Sequence, residues 1–162
     1  MQIDEFEFYK QAADMAKKSK DAKFATKSPA LLLPSEQKGK GREDYYKNLL
    51  SRAKNGKAKT KYLFSMPYLV SELRKLNRKE IESVLKQWEV LLTYNGLDIR
   101  FTEESFDSCI IGDTQVLLKD GTKRFLITEQ FSKAPEIIKN FNSIFSKASK
   151  DHKQAIEKLR KA

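Results

Sequence analysis

Apolar residues recur every three or four positions in several segments, which is the spacing that places them on one face of an α-helix. The segments with this pattern are Asp4–Lys20, Glu43–Asn55, Asn77–Gly96 and a final helix that begins near Pro135. Asn77, followed by a glutamate three positions later, is typical of a helix N-terminus. Gly56 and Gly96 stand where glycine commonly ends a helix. The pattern therefore predicts four helices, and it leaves open whether the last one breaks near Lys150 or continues to Leu159.

Strand-like segments lie between these helices. They read AKFATKSPALLL (22–33), AKTKYLFSM (58–66) and LDIRFTE (97–103). Pro34 and Pro67 interrupt the first two, because proline cannot donate a hydrogen bond to a sheet. The stretch 105–128, SFDSCIIGDTQVLLKDGTKRFLIT, has apolar runs on both sides of an Asp120-Gly121 turn signal. We expect it to form a β-hairpin, with the carboxylate of Asp113 standing between two hydrophobic runs of its first strand.

This alternation of helices and strands predicts an α/β fold. The order helix, strand, helix, strand, helix, strand, hairpin, helix favours a mixed β-sheet flanked by helices on both faces. The chain has 162 residues, which is enough for one domain with a hydrophobic core and too few for two ordinary ones. We therefore expect a single domain over residues 1–162, with a basic helical tail at about 146–162.

The composition is that of a soluble globular protein rich in charge, with 40% hydrophobic and 33% charged residues. The sequence has no apolar run of about 18 residues, the length that a membrane-spanning helix needs. Its first ten residues, MQIDEFEFYK, are acidic and amphipathic, unlike a signal peptide. These features predict a cytoplasmic protein with no membrane partner.

The formal net charge of +10 suggests an anionic partner, because clustered Lys and Arg gain affinity by releasing counterions from a phosphate backbone. One basic block covers residues 38–61 and another is the tail, where aromatic residues do not interleave with the lysines as a single-strand binding surface requires. A solvated, lysine-rich surface explains the charge equally well. The residues that would contact DNA are Lys38, Lys40, Arg42, Lys57, Lys59 and Lys61.

Candidates for catalysis and metal binding are few. Cys109 stands beside Ile110 and Ile111 in an expected strand, which favours a buried thiol over a nucleophile. His152 lies in the lysine-rich tail, where we expect it on a polar helix face. One histidine, one cysteine and scattered carboxylates show no metal-ligand spacing, and KGKGRED lacks the strand-to-helix context of a phosphate-binding loop. We predict no metal and no cofactor.

Several short motifs, taken with the element order, carry a resemblance to a known family. They are YYKNLLSRAKNGKAKTKYLFSM, GLDIRF, the SF, II and D that precede VLL in the hairpin, and the F-N-S-I-F spacing at 141–145. In this pattern the chain resembles the phospholipase D-like domain, in particular the effector-sensing modules of archaeal transcription regulators. The resemblance covers most of Phe6–Ser149.

The resemblance implies a domain without catalytic residues. Active members carry His-x-Lys-x-x-x-x-Asp on the hairpin, with histidine as nucleophile and lysine on the phosphate. Placing the aspartate at Asp113 puts Ser108 at the lysine position and Phe106 at the histidine position. A phenyl ring cannot attack phosphorus, and a hydroxyl lacks the charge and reach of an ammonium group. Asp113 is then a remnant, a cap for local backbone amides or an ordinary strand-edge carboxylate.

The leading functional hypothesis is a non-catalytic phospholipase D-like module of transcription regulation that binds a partner or a small-molecule effector. Active members build one site from two hairpins, so the resemblance implies a homodimer whose subunits share an isologous interface. The cleft residues would be Lys27, Ser28, Phe106, Ser108 and Asp113. The alternative is a basic DNA-binding protein that uses the lysines and arginine named above. A phosphodiesterase or nuclease is the third and least favoured hypothesis.

Overall fold

A computed structural model of the protein describes residues 1–26, 40–55, 60–120, 124–129 and 134–161. Seven strands and six helices lie within these residues. The strands are β1 (Gln2–Ile3), β2 (Ala22–Thr26), β3 (Thr60–Ser65), β4 (Leu97–Thr102), β5 (Ser108–Ile111), β6 (Gln115–Asp120) and β7 (Arg124–Glu129). The helices are α1 (Glu5–Lys18), α2 (Lys40–Asn55), α3 (Met66–Leu73), α4 (Arg78–Leu91), α5 (Ala134–Lys147) and α6 (His152–Arg160).

The strands form one mixed sheet in the order β1-β7-β6-β5-β2-β3-β4. β2, β3 and β4 pair in parallel, and their connections run through α2 and through α3 with α4. β5, β6 and β7 form an antiparallel meander, which joins the parallel half where β5 pairs antiparallel with β2. The expected α/β fold with a mixed sheet is therefore confirmed.

Alternating side chains of the strands serve two separate cores. On the first face Phe24, Tyr62 and Phe64 pack with residues of α1, α2, α3, α4 and α6. The rings of Phe24 and Tyr62 stack at 5.6 Å, and Phe64 lies 4.5 Å from Trp88 of α4. On the second face Ala25 packs in a smaller core beneath α5. Helices therefore flank both faces, as expected. Five helices (α1, α2, α3, α4 and α6) pack on the first face, and α5 packs on the second.

The local signals at helix ends act as the sequence indicated. Asn77 accepts a hydrogen bond from the amide of Glu80, whose side chain accepts one from the amide of Asn77, so the reciprocal capping box of α4 is formed. Asp4 caps α1 in the same manner by accepting from the amide of Glu7 at 2.7 Å. β3 ends at Ser65, just before Pro67, as expected, but Pro67 also stands in the first turn of α3, a helix that the sequence did not predict, where its missing N–H has no cost.

Gly96 does not end α4, as the sequence suggested, because the helix already stops at Leu91. Its amide donates to the carbonyl of Ala53 at 3.0 Å, which ties the start of β4 to the end of α2. A Cβ at position 96 would lie 2.6 Å from that same oxygen. Glycine is therefore required for a close backbone approach. Gly56, the other expected helix terminator, lies outside the described residues.

The segment 105–128 contains three strands, so the expectation of a single hairpin was wrong. β5 and β6 form a first hairpin, closed where the amide of Gly112 donates to the carbonyl of Gln115 at 2.9 Å. β6 and β7 form a second, in which Asp120 pairs with Arg124 across the expected turn position. Asp113 therefore lies in the turn between β5 and β6, and not on the apolar face of a strand.

The final helical region breaks near Lys150, the first of the two alternatives. α5 ends at Lys147, and Ser149 then exchanges backbone hydrogen bonds of 2.8 and 3.0 Å with Phe101 of β4. Asp151 caps the following helix α6 by accepting from the amide of Gln154. Among the described residues, no helix is both long and apolar enough to cross a bilayer.

Candidate nucleic-acid interface

α1 and α2 lie side by side and run in the same direction. Arg42 near the start of α2 pairs with Glu5 near the start of α1. The side-chain amide of Asn48 donates to the carbonyl of Ala13 at 2.9 Å, in the middle of both helices. Both helices therefore end at the same edge of the sheet, where the parallel strands β2 and β3 begin.

Six lysines collect at this edge because each helix ends in lysines and each following strand carries one near its start. α1 ends in a lysine-rich turn, α2 has a lysine in its last turn, and the strands supply one each. We call this surface the basic edge, and it consists of Lys17, Lys18, Lys20, Lys23, Lys54 and Lys61. An open groove of about 740 Å³ lies here between the ends of the two helices.

The opposite edge of the sheet carries charges of both signs, because Lys158 of α6 pairs there with Glu103. β4 is followed there by Glu103, Glu104 and Asp107. In the sequence, residues 1–61 contain 15 Lys and Arg against 8 Asp and Glu, residues 62–131 contain 9 against 11, and residues 132–162 contain 8 against 3. The basic edge is therefore one of two basic regions of the chain; in the other, Lys158 pairs with Glu103 and Arg160 with Glu89.

Arg52 of α2 fixes this arrangement from within. The residue is 7% exposed, and its Nε donates to the hydroxyl of Thr60 at 2.8 Å. Its Nη1 donates to the carbonyls of Ala16 at 3.0 Å and Ser19 at 2.6 Å. Its Nη2 lies 3.4 Å from the carbonyl of Lys20. One guanidinium thus satisfies the free carbonyls at the end of α1 and joins them to β3.

Asp113 has a structural role at the same junction. Its two carboxylate oxygens accept hydrogen bonds from the amides of Lys20 at 2.8 Å and Asp21 at 3.2 Å. Burial lowers the pKa of Arg52, and the charges of Asp113 and Asp21 oppose that shift. Asp113 is therefore a cap for backbone amides, one of the roles considered from the sequence, although the amides belong to a distant turn.

Lys23 and Lys61 meet on the second face of the sheet. They are paired residues on the adjacent parallel strands β2 and β3. Lys61 Nζ lies 5.3 Å from the ring centre of Phe145, and Arg100 of β4 lies 4.1 Å from the same ring. Burial and then the charge of Lys61 lower the pKa of Lys23, while Asp21 acts in the opposite direction.

The cleft expected from the resemblance is not assembled within the described residues. Phe106 is buried beneath α5 in the second core. Ser108 begins β5, and Asp113 lies beyond its other end, about 15 Å along an extended chain. Lys27 and Ser28 lie outside the described residues. Phe106 and Asp113 therefore do not converge on one substrate-sized site.

The residues expected to contact DNA are divided. Lys38, Lys57 and Lys59 lie outside the described residues, and Lys40 is the first residue of α2. Arg42 pairs with Glu5 and lies 4.8 Å from the ring centre of Tyr9, so it holds α2 against α1. Lys61 belongs to the basic edge. Since α2 is about 24 Å long, the structure does not bring Arg42 and Lys61 together.

The basic tail is held against the first core. Lys158 pairs with Glu103 and Arg160 with Glu89, each at 3.1 Å. His152 was expected on a polar face, but its Nε2 lies 2.7 Å from the carbonyl of Ile99, and its ring packs edge-on against Phe101. The tail therefore docks α6 on β4 and neighbouring helices, and two of its cations are neutralised.

Cys109 lies in the second core, as expected from its apolar neighbours. Burial raises the pKa of its thiol to about 12, with a smaller contribution from Asp107. A thiol with this pKa is not a nucleophile at neutral pH. Within the described residues, no group of three or more histidine, cysteine or carboxylate side chains is placed to hold a metal ion.

Sequence reasoning missed Lys17, Lys18, Lys20, Lys23 and Lys54 as members of one surface. The sequence did contain a pattern that could have indicated this surface. Lysines occur at the ends of α1 and α2 and near the starts of the strands that follow them. In consecutive parallel units of this kind, helix ends and strand starts lie at one edge of the sheet.

Comparison with known proteins establishes the fold and little more. No family model and no curated protein matches the sequence. Among solved structures, the chain is similar to TrmBL2, reported as an archaeal chromatin protein that shows a novel mode of DNA binding. The match has a TM-score of 0.52 and 16% identity, and it covers 93% of this chain and 53% of that chain.

The chain thus spans about half the length of TrmBL2, and at this identity the similarity concerns the fold alone. A similar fold therefore occurs in an archaeal chromatin protein. The phospholipase D-like assignment finds no support in these comparisons.

Proposed function

We propose that this chain binds duplex DNA through the basic edge. The observation that carries the proposal is the collection of six lysines where α1 and α2 end, of which Lys18 also pairs with Asp14 at 2.9 Å. The occurrence of a similar fold in a DNA-binding chromatin protein supports it. DNA binding was the alternative hypothesis from the sequence, and it now takes precedence over the effector-binding module.

The proposed contacts are to phosphates and not to bases. Lysine is a flexible point charge without the planar, bidentate geometry that reads guanine, and all six residues of the basic edge are lysines. Binding is therefore insensitive to sequence and steeply dependent on salt. With six phosphates neutralised, log affinity falls with log salt concentration with a slope of about −5.

A matched pair of triple variants tests this proposal. Lys17, Lys18 and Lys20 are replaced by Gln in the first, and exposed Lys75, Lys79 and Lys86 of the α3–α4 region are replaced by Gln in the control. Both lose three charges, but only the first loses them from the basic edge. Affinity for a 30-base-pair duplex is measured by fluorescence anisotropy at several salt concentrations.

We expect the basic-edge variant to lose about 100-fold or more in affinity at 0.1 M salt, with the slope reduced to about −3. The control variant should retain most of the affinity. Equal losses in both variants would mean that net charge alone attracts DNA. Absence of wild-type binding at about 0.1 M salt would refute the proposal.

We also propose that the chain catalyses no phosphodiester cleavage and is the non-catalytic phospholipase D-like domain that its motifs suggest. Two observations support the absence of catalysis: Phe106 packs in the apolar core beneath α5, and Asp113 accepts hydrogen bonds from two backbone amides. The phospholipase D-like assignment rests on the resemblance alone. The wild-type chain should not turn over bis(p-nitrophenyl) phosphate. Turnover that the substitution Asp113→Asn abolishes without unfolding the chain would contradict this proposal.

The homodimer and a small-molecule effector remain proposals that rest on the resemblance. Sedimentation of the chain with and without duplex DNA tests self-association and DNA binding together. A monomer at all concentrations in both conditions would exclude the homodimer and leave the basic edge as a monomeric surface.

A further inference from the structure

A second cationic feature lies at the same edge but on the other face of the sheet. Lys23 and Lys61 are in register on adjacent strands, which run about 4.8 Å apart. Residues of one register on neighbouring strands point to the same face. Lys61 reaches Phe145 of α5 on the second face, so Lys23 is placed on that face as well.

Arg100 completes the cluster as a fixed element. Its side chain is 16% exposed, donates to the carbonyl of Phe145 at 3.0 Å and pairs with Asp98 at 3.3 Å. Asp98 is also the residue opposite Lys61 on β4. Because Arg100 compensates much of the charge of Asp98, the two lysines keep a net positive field around them.

Placing two ammonium groups side by side is unfavourable, and the repulsion grows as water is excluded. The lowered pKa of Lys23, caused by burial and then by Lys61, is the expected effect of such crowding. A phosphate group between the two ammonium groups would remove the repulsion, since its oxygens accept charge-assisted hydrogen bonds from both.

We infer that Lys23 and Lys61 form a clamp for one phosphate group on the second face of the sheet, with Arg100 as a fixed cation beside it. This inference extends the proposed function. It rests on DNA binding only for the source of the phosphate, and not for the clamp itself. The phosphate is either part of a DNA backbone that passes over the basic edge or part of a free phosphorylated molecule.

The test uses the full chain and two double variants with the same loss of charge. Lys23→Gln with Lys61→Gln removes the clamp, and Lys17→Gln with Lys54→Gln removes two lysines of the basic edge outside it. The first arm measures the thermal midpoint in sodium phosphate, with sodium chloride at equal ionic strength as reference. The second arm measures the salt slope of duplex binding.

In the first arm, we expect phosphate at ten times its Kd to raise the wild-type midpoint by about 4 °C relative to chloride. The Lys17/Lys54 variant should keep this increase, and the Lys23/Lys61 variant should lose it. An increase that is absent in the wild type, or equal in both variants, would overturn the clamp.

The second arm identifies the source of the phosphate. If the clamp holds a DNA phosphate, the Lys23/Lys61 variant has a salt slope less steep by about one unit. If the wild type binds no DNA but shows the clamp-dependent phosphate effect, the clamp stands for a free phosphorylated ligand and the DNA proposal fails. If DNA binds and the phosphate effect is absent, the DNA proposal stands and the clamp fails.

Discussion

Replacement of Arg52 by methionine tests the internal organisation of the basic edge. The substitution keeps most of the side-chain volume but removes the guanidinium, which makes four hydrogen bonds, to Thr60, Ala16, Ser19 and Lys20. It leaves the carbonyls of Ala16, Ser19 and Lys20 at the end of α1 without their donor, beside the open groove. It also leaves Asp113 and Asp21 without the nearest buried cation.

The expected magnitude follows from these contacts. Hydrogen bonds of a charged donor contribute about 1.5–3 kcal/mol each when well formed. The contact with Lys20 is long, at 3.4 Å, and water in the groove can replace part of the lost bonding. We therefore expect a loss of unfolding free energy of about 4 kcal/mol, below the sum for the three shorter bonds. With a urea m-value of about 2 kcal/mol per molar, the midpoint falls by about 2 M.

The assay is equilibrium urea unfolding followed by the fluorescence of Trp88, which is buried in the first core. Arg52→Lys is the matched control, because it keeps the charge but cannot reach all four acceptors at once, and it should lose roughly half as much stability. The reasoning would be refuted if Arg52→Met shifts the midpoint by less than about 0.5 M. A double-mutant cycle with Asp113→Asn should show a coupling energy of about 0.5–1 kcal/mol.

Three further predictions concern the fold. Gly96→Ala should lower the free energy of unfolding by about 1–3 kcal/mol, because the new Cβ would overlap the backbone of α2. The control Asn95→Ala, at an exposed position, should be nearly neutral. Equal effects would show that the close backbone approach does not require glycine. Asn77→Ala should cost about 1 kcal/mol by removing the capping box of α4, and an unchanged midpoint would contradict its role. Stability should fall at alkaline pH, because Cys109, with its pKa raised to about 12, stays protonated in the folded chain while the unfolded thiol ionises from about pH 8.5. The fall is about 1.4 kcal/mol per pH unit from this group, and Tyr45 and Tyr46, whose pKa values burial also raises, add to it above about pH 10. In the Cys109→Ala variant, the difference between the urea midpoints at pH 8 and pH 9.5 should be smaller than in the wild type. An unchanged difference would show that a group other than Cys109 causes the pH dependence.

Much of the fold could be predicted because its signals are local. The caps at Asp4 and Asn77 act on amides three residues away, and the apolar spacing of α1 and α4 reports which helix face is buried. The apolar run around Ile110 indicated a buried strand in the same way. These features predicted α1, α2, α4, α5 and the α/β class, whereas β1 and α3 were missed.

The errors occurred where a residue can satisfy two local patterns. Pro67 can end a strand or begin a helix, and Gly96 can terminate a helix or admit a neighbouring backbone. Between Ser105 and Thr128, a short turn at Gly112 was overlooked because the Asp120-Gly121 signal is stronger. Only the pairing of β5 with both β2 and β6 shows which turns the chain makes.

What the sequence by itself determined was most of the elements, the mixed α/β class and an excess of positive charge; β1, α3 and one strand between residues 105 and 128 were missed. What only the tertiary structure decided was where that charge lies and what Asp113 does. The carboxylate of Asp113 binds amides 92 and 93 residues away, and Lys23 meets Lys61 only because β2 and β3 pair in register. Contacts between such distant positions depend on how the elements pack, and no local pattern encodes that packing.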